Sequence, residues 1–284
     1  MPLRPTAPLL ADAAARGVGV GAFNLVNLET AQALVGAAES SGLPLVLQIS
    51  QNCVVYHQGR MGPLAKAVAQ LAEESTATLA LHLDHAEDAD LTRAAVDLGF
   101  GSVMYDGAAL PYEENVATTR AVVEYARAAG VMVEAELGEI GGKDGAHRPG
   151  VRTDPDQAFS FVQETGVDAL AVAVGSTHAM TRRETILDNG LIRDLRDSVP
   201  VPLVLHGSSG VPDCGLREAV RSGIVKVNVS THLNGVFTGT VRERLGDDPR
   251  MVDPRKYLGP AREAMAAESA RLLRVIAEQE VVAA

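Results

Sequence analysis

Cysteine is nearly absent from this chain: Cys53 and Cys214 are the only two in 284 residues, and neither belongs to a CxxC pair. That excludes a disulfide framework and a thiolate metal centre, and both read as unpaired thiols. Positive charge is also short, with 25 Lys and Arg against 36 Asp and Glu and a net charge of −11. No basic stripe or Lys/Arg cluster is present, which argues against nucleic acid and anionic membranes as partners. Long apolar runs are missing too. The run "ALAVAV" at 169–174 is far too short to span a bilayer, and the first residues carry no signal-peptide pattern, so a cytoplasmic protein is expected. No Pro/Gly/Ser-rich linker, composition break or internal repeat divides the chain, and one domain over 1–284 is the simplest expectation.

What is present is an alternation. Short aliphatic runs recur along the chain with amphipathic, helix-like segments between them, the pattern of a parallel βα sheet. Strands are expected at 19–24, 44–50, 78–84, 102–107, 131–137, 169–175, 202–207 and 224–230. Eight strands suit a closed (β/α)8 TIM barrel. A doubly wound sheet would carry a Gly-rich nucleotide turn after its first strand, and none is there. A helix is expected over 234–247, and a C-terminal helical extension over about 260–284.

Within the strands, successive side chains face opposite sides. One parity is aliphatic: Leu45, Leu47 and Ile49; Leu79, Leu81 and Leu83; Val131 and Val133; Leu203 and Leu205; Val225, Val227 and Val229. The other carries Asn24, Gln48, Ser50, His82, Asp84, Asp106, Glu134, Glu136, His206, Lys226 and Asn228, mostly near the strands' C-terminal ends. Any one of these alone is an ordinary buried hydrogen-bonder. Together they describe a barrel interior lined with chemistry at the mouth, where barrel active sites sit.

Three histidines fall where strands three, six and seven end: His85, His178 and His206. Singly each reads as a loop or core histidine. Converging on one mouth, three imidazoles with an open fourth position make a catalytic zinc site. Asp84 faces inward beside His85, in the place of a proton donor, and His82 lies deeper as a supporting hydrogen-bonder.

The segments "LHLDH" (81–85), "VEAELGEIGG" (133–142), "HGSSGVP" (206–212), "VKVNVST" (225–231) and "DPRKY" (253–257) resemble the class II fructose- and tagatose-bisphosphate aldolases, in the family's order and over roughly Ala22 to Ala264. The resemblance implies a metal-dependent ketose-bisphosphate aldolase, cleaving its substrate to dihydroxyacetone phosphate and an aldehyde through a zinc-stabilised enediolate, with fructose 1,6-bisphosphate the leading substrate. It implies His85, His178 and His206 as ligands of one Zn2+, Asp84 as proton donor, and Glu136 at a second divalent or monovalent cation position. Substrate contacts are implied at Asn24, Ser50 and Ala179. The phosphate of dihydroxyacetone phosphate is expected at Gly207, Ser208 and Ser209 together with Asn228, Val229, Ser230 and Thr231. Glycine there lets backbone amides approach an anion, and the hydroxyls add donors.

Arg255 matches an arginine that reaches the second phosphate from a neighbouring subunit, implying a homodimer or homotetramer. The family's second acid/base lies in the loop "GEIGGKDGAHRPG" (138–150), where Asp144 is the candidate and Glu139 stands behind it. Two positions depart from the family pattern: Ala179 stands where many relatives have Gly, and Lys143 where an acid is common. Three alternatives remain beside this expectation: a tagatose-bisphosphate or other phospho-keto-sugar substrate, Schiff-base chemistry at Lys226, and a sugar-phosphate-binding protein without turnover.

Overall fold

The computed structural model describes residues 3–137 and 152–279. In chain order the elements are α1 (Thr6–Arg16), β1 (Val20–Asn24), α2 (Leu28–Ser41), β2 (Leu45–Ser50), α3 (Gln51–Tyr56), α4 (Met61–Glu74), β3 (Leu79–Ala86), α5 (Ala89–Asp97), β4 (Ser102–Tyr105) and α6 (Tyr112–Ala128). They continue with β5 (Met132–Leu137), α7 (Pro155–Thr165), β6 (Ala169–Val172), α8 (Asn189–Ser198), β7 (Leu203–Leu205), a 3-10 turn at Ser208–Gly210, α9 (Asp213–Ser222), β8 (Ile224–Val229), α10 (Thr231–Asp247) and α11 (Arg255–Ile276). The eight strands are parallel and close on themselves, β8 pairing with β1 through Val20 and Lys226. This is the (β/α)8 barrel with an added C-terminal helix.

Two separate buried clusters express the two faces of the strands. The larger one, between sheet and helices, takes Leu45, Leu47, Ile49, Leu79, Leu81, Leu83, Val133, Leu203 and Leu205. The smaller fills the lower barrel interior with Val20, Ala22, Val46, Ala80, Met104 and Met132, and β6 and the residue after it contribute only alanines there, Ala169, Ala171 and Ala173. Those alanines leave room for the long polar side chains above them. Leu10 and Ala13 of α1 belong to the inner cluster, so α1 plugs the floor. Thr6, its first residue, meets Ser102 of β4 at 2.7 Å.

Strand eight departs from simple alternation. The β7–β8 register shifts between Leu203 and Val204, so Ile224 packs outward and Val225 joins the inner cluster, opposite to the expected parity of Val225. The bulge inserts one residue and restores Lys226 and Asn228 to the interior. Among the described residues no helix is long and apolar enough to cross a membrane.

The C-terminal helix starts earlier than expected, at Arg255, with Pro260 inside it. Proline forfeits one backbone hydrogen bond there, which is why position 260 looks like a start in the sequence. α11 packs on α2 and α10. It is also held by charge: Arg271 donates to Glu268 at 2.8 Å and to Asp213 of α9, and Glu268 lies 2.6 Å from His232 of α10. Burial works to raise the Glu268 carboxyl, but hydrogen bonds from Arg271 and His232 outweigh it and hold it down at about 2. A depressed carboxyl stabilises fully above its unfolded value near 4.5 and loses that contribution as pH falls toward 2. The expected contribution is roughly 1–3 kcal/mol after screening. Urea midpoints of wild type and Glu268→Gln should therefore differ most near neutrality and converge as pH falls to about 2.

Candidate active site

The C-terminal mouth of the barrel opens into a cavity of about 510 Å³. Its lining includes Asn24, Ser50, Asp84, His85, His178, Ala179, Gly207, Ser208, Ser209, Asn228, Ser230 and Thr231, with Gln51, Asn52 and Glu87 at the rim. Most of the residues singled out from the sequence are thus brought together. Val229 is not: alternation turns its side chain into the outer core, leaving its neighbours Asn228 and Ser230 on the cavity.

Asp84 and His85 are adjacent, and in a regular strand they would face opposite sides. The β3–β4 register shifts between Leu83 and Ala86, and His85 adopts φ 49, in the left-handed region. This conformation costs a non-glycine residue on the order of 1 kcal/mol and lets both side chains reach the mouth. Ala179, after His178, is left-handed as well, with φ 58. Gly207 at φ 64 abuts the Thr177 backbone, where a Cβ would sit 2.7 Å from its carbonyl group, so the β7 turn can close against the His178 loop only with glycine.

The three imidazoles form one cluster. Ring centroids of His85 and His206 are 4.5 Å apart, those of His85 and His178 4.9 Å, and each ring offers a nitrogen within 4.8 Å of the others. Their outer partners fix the tautomers. His85 Nδ1 lies 2.8 Å from Asp106 Oδ2, and His206 Nε2 lies 2.8 Å from Glu134 Oε1. A carboxylate only accepts, so each of those nitrogens carries a hydrogen and His85 Nε2 and His206 Nδ1 present lone pairs. These two lone pairs face each other at 2.9 Å. Such an arrangement needs a proton or a cation between them. Burial, then the neighbouring His85, pushes His206 well below its ordinary value, favouring the neutral form that a metal requires. The donor set fits a divalent metal ion. Asn228 Nδ2 also stands 3.0 Å from His206 Nε2; it donates to Asp84 while the Nε2 hydrogen goes to Glu134, so two donors meet here in a packing contact.

Asp84 is 4% exposed and held by two amides, Asn24 Nδ2 at 2.7 Å and Asn228 Nδ2 at 3.3 Å. Gln48 donates in turn to Asn24 Oδ1 at 3.3 Å. Burial works to raise the Asp84 carboxyl, but His85, His206, Lys226 and the Asn24 amide together hold it below the usual carboxylate value. Lys226 is fully buried, donating to Glu134 at 2.9 Å and to Asn228 Oδ1 at 2.9 Å. An ammonium engaged this way has no lone pair to offer a carbonyl, which counts against Schiff-base chemistry. His82 sits below, 2.7 Å from Ser102 Oγ.

Glu136 is buried, its Oε2 3.7 Å from His206 Nδ1, and it groups with His85 and Asp106 as a second set able to hold a cation. Arg255 lies outside the cavity of its own chain, its side chain 89% exposed and paired with Asp253. Asp144, Glu139 and Lys143 fall outside the described residues. The partnerships of Asp106 and Glu134 with the histidines did not emerge from the sequence. Both acids stand on the inward parity, but which imidazole each meets depends on the closed barrel's register.

The two serines after Gly207 differ in role. Ser208 Oγ donates to the Asn228 carbonyl, so its hydroxyl is spent within the protein. Ser209 Oγ accepts the backbone N–H groups of Ser230 at 3.4 Å and His232 at 3.2 Å, and its own hydrogen remains for a ligand in the cavity it lines.

Fold and site together define a class: a parallel barrel whose mouth carries a cation-ready imidazole cluster beside a buried carboxylate. The chain belongs to the class II fructose-bisphosphate aldolase family, whose model, "Fructose-bisphosphate aldolase class-II", matches residues 4–280. It is 40% identical over 269 residues to a fructose-bisphosphate aldolase of Staphylococcus aureus, covering 93% of this chain and 94% of that protein. It is 42% identical over 252 residues to the fructose-bisphosphate aldolase of Geobacillus stearothermophilus, covering 87% and 88%. Among solved structures it resembles the YdjI aldolase of Escherichia coli K12, with TM-score 0.85, 29% identity and coverage of 96% and 97%. It also resembles a putative fructose-1,6-biphosphate aldolase of Coccidioides immitis, with TM-score 0.86, 29% identity and 96% of each chain covered.

Proposed function

We propose that this protein is a zinc-dependent ketose-bisphosphate aldolase acting on fructose 1,6-bisphosphate, with His85, His178 and His206 as the metal ligands. The observation that carries this reading is the 2.9 Å approach of His206 Nδ1 to His85 Nε2, with His178 in the same cluster and Asp84 beside it. Held by these three imidazoles, a divalent metal would supply Lewis acidity toward the negative charge that develops as the carbon–carbon bond breaks.

Asp84, held as a carboxylate by Asn24 and Asn228, takes the proton of the C4 hydroxyl in cleavage and returns it to the aldehyde oxygen in condensation. The Ser209 hydroxyl, with Ser230 and Thr231 at the start of α10, holds the phosphate of dihydroxyacetone phosphate. Asp144 serves as the acid/base at the carbanion carbon, and Glu136 belongs to a second cation position. Arg255 reaches the other phosphate in a neighbouring subunit of a homodimer or homotetramer. Its link to Asp253 is a surface pair of little worth, readily exchanged for phosphate.

A coupled assay comparing fructose 1,6-bisphosphate with tagatose 1,6-bisphosphate tests the substrate assignment, and turnover preferring the tagatose ester would overturn it. In the same assay Arg255→Ala should lower kcat/KM roughly ten- to hundredfold through KM. Proton exchange at free dihydroxyacetone phosphate should barely change, because that half-reaction uses only the first phosphate. An unchanged KM, or a fully active monomer in sedimentation, would refute the shared site.

A further inference from the structure

The cavity's phosphate end is built from two chain arms that meet at Ser209: the turn leading into α9 and the first turn of α10. Their inner sides are joined by the Ser208 and Ser209 hydroxyls. Their outer sides are joined through α11. Arg271 donates through Nη1 and Nη2 to both oxygens of Asp213, four residues beyond Ser209. The same guanidinium makes two 2.8 Å bonds to Glu268, and Glu268 Oε1 lies 2.6 Å from His232 Nε2, on the residue whose backbone N–H donates to Ser209. A third segment joins from the loop after β6, where Arg183 meets Asp213 at 2.7 Å and the Val211 carbonyl at 2.9 Å.

We propose that Arg271 and Glu268 are positioning residues that clip the two phosphate-binding arms together, setting the spacing of the Ser209 hydroxyl against Ser230 and Thr231 at the start of α10 for a phosphate monoester. This rests on the reading that these arms hold the substrate phosphate. The geometry favours a role beyond packing because His232 and Asp213 belong to the first turns of α10 and α9, next to the residues lining the cavity. Two hydrogen-bonded carboxylates flank one planar guanidinium, which fixes direction as well as distance, something a lysine point charge does poorly. The low value of Glu268 keeps the clip charged across the neutral range.

The test uses the metal-loaded enzyme, with inorganic phosphate as a competitive probe. His232→Ala, which releases only the α10 arm, should raise KM for the ketose bisphosphate and Ki for inorganic phosphate about three- to tenfold. Its kcat should stay within about twofold and its metal content should be unchanged, because the cluster at His85 is untouched. Arg271→Met should show the same split more strongly, and Arg271→Lys should recover part of it. If Arg271→Met fails to fold, His232→Ala and Arg271→Lys decide the matter. Folded variants with unmoved phosphate Ki, or a fall in kcat with metal loss and no change in KM, would overturn the clip. Ser209→Ala separates this from the underlying reading. A raised phosphate Ki there, with the clip variants unmoved, defeats only the clip, whereas no change in any of them defeats the phosphate assignment as well.

Discussion

Stripping the metal with dipicolinate or EDTA is expected to abolish cleavage, and His206→Ala is expected to leave a folded protein that no longer holds the ion. The fold should survive because His206 is not the only partner of the buried acid behind it: Glu134 keeps its 2.9 Å bond to Lys226 when the imidazole is gone. Removing the ring therefore does not strand a buried charge, the event that makes such deletions severe. Two imidazoles remain, an incomplete shell for a metal that takes three protein ligands in its catalytic sites. Metal affinity should fall by more than roughly a hundredfold, beyond the 10–100-fold typical of losing a supporting partner. Glu134→Gln should show that smaller effect on the metal, since the amide no longer dictates which His206 nitrogen carries the proton, together with a loss of stability, since buried Lys226 loses its carboxylate. Elemental analysis, circular dichroism and a cleavage assay on the same samples check all three expectations. A metal-free preparation with full activity would sink the metal-dependent reading altogether.

Much of this site was legible before any coordinates, for a specific reason. A closed barrel has two faces and a strand alternates between them, so polar residues on the inward parity near strand ends have only one place to go. Asn24, Asp84 and Asn228 could be assigned to the mouth on that basis, and His206 to the interior just beneath it. Alternation fails where the backbone leaves the regular strand. It puts Val225 on the wrong face because a bulge intervenes, and it cannot explain how neighbours Asp84 and His85 share one cavity, which takes a left-handed residue. Nor does it reveal that α1 closes the floor. An alanine-rich amphipathic helix announces a buried face but not the surface that it meets. The division of labour between Ser208 and Ser209 depends on which acceptor lies within reach of each hydroxyl, a fact of tertiary structure. Arg255 owes its assignment to resemblance, and its own chain leaves it in solvent, which is consistent with work done elsewhere in an assembly.

Asp84→Asn should keep the metal and the fold and lose turnover by roughly 10²–10⁴-fold, the span usual for a general acid–base group. The change is nearly isosteric, and it removes a charge from a position that four groups favour as anionic: His85, His206, Lys226 and the Asn24 amide. Asn24 and Asn228 now donate to both carboxylate oxygens; in the variant one of them meets an amide donor, so a local rearrangement accompanies the lost base. That cost falls on stability and on positioning, and a proton-exchange measurement separates it from chemistry. If Asp84 serves only the C4 oxygen, exchange at the carbon of free dihydroxyacetone phosphate should persist near the wild-type rate while cleavage collapses. Asp144→Asn should give the reverse. With the Asp84 carboxyl held below its ordinary value, its carboxylate form is favoured at neutral pH, and kcat/KM is expected to show no acid limb from Asp84 near pH 6. Loss of the ion in Asp84→Asn would make Asp84 a ligand. Loss of exchange with the ion retained would move it from the aldehyde oxygen to the carbanion carbon, displacing Asp144 from that role.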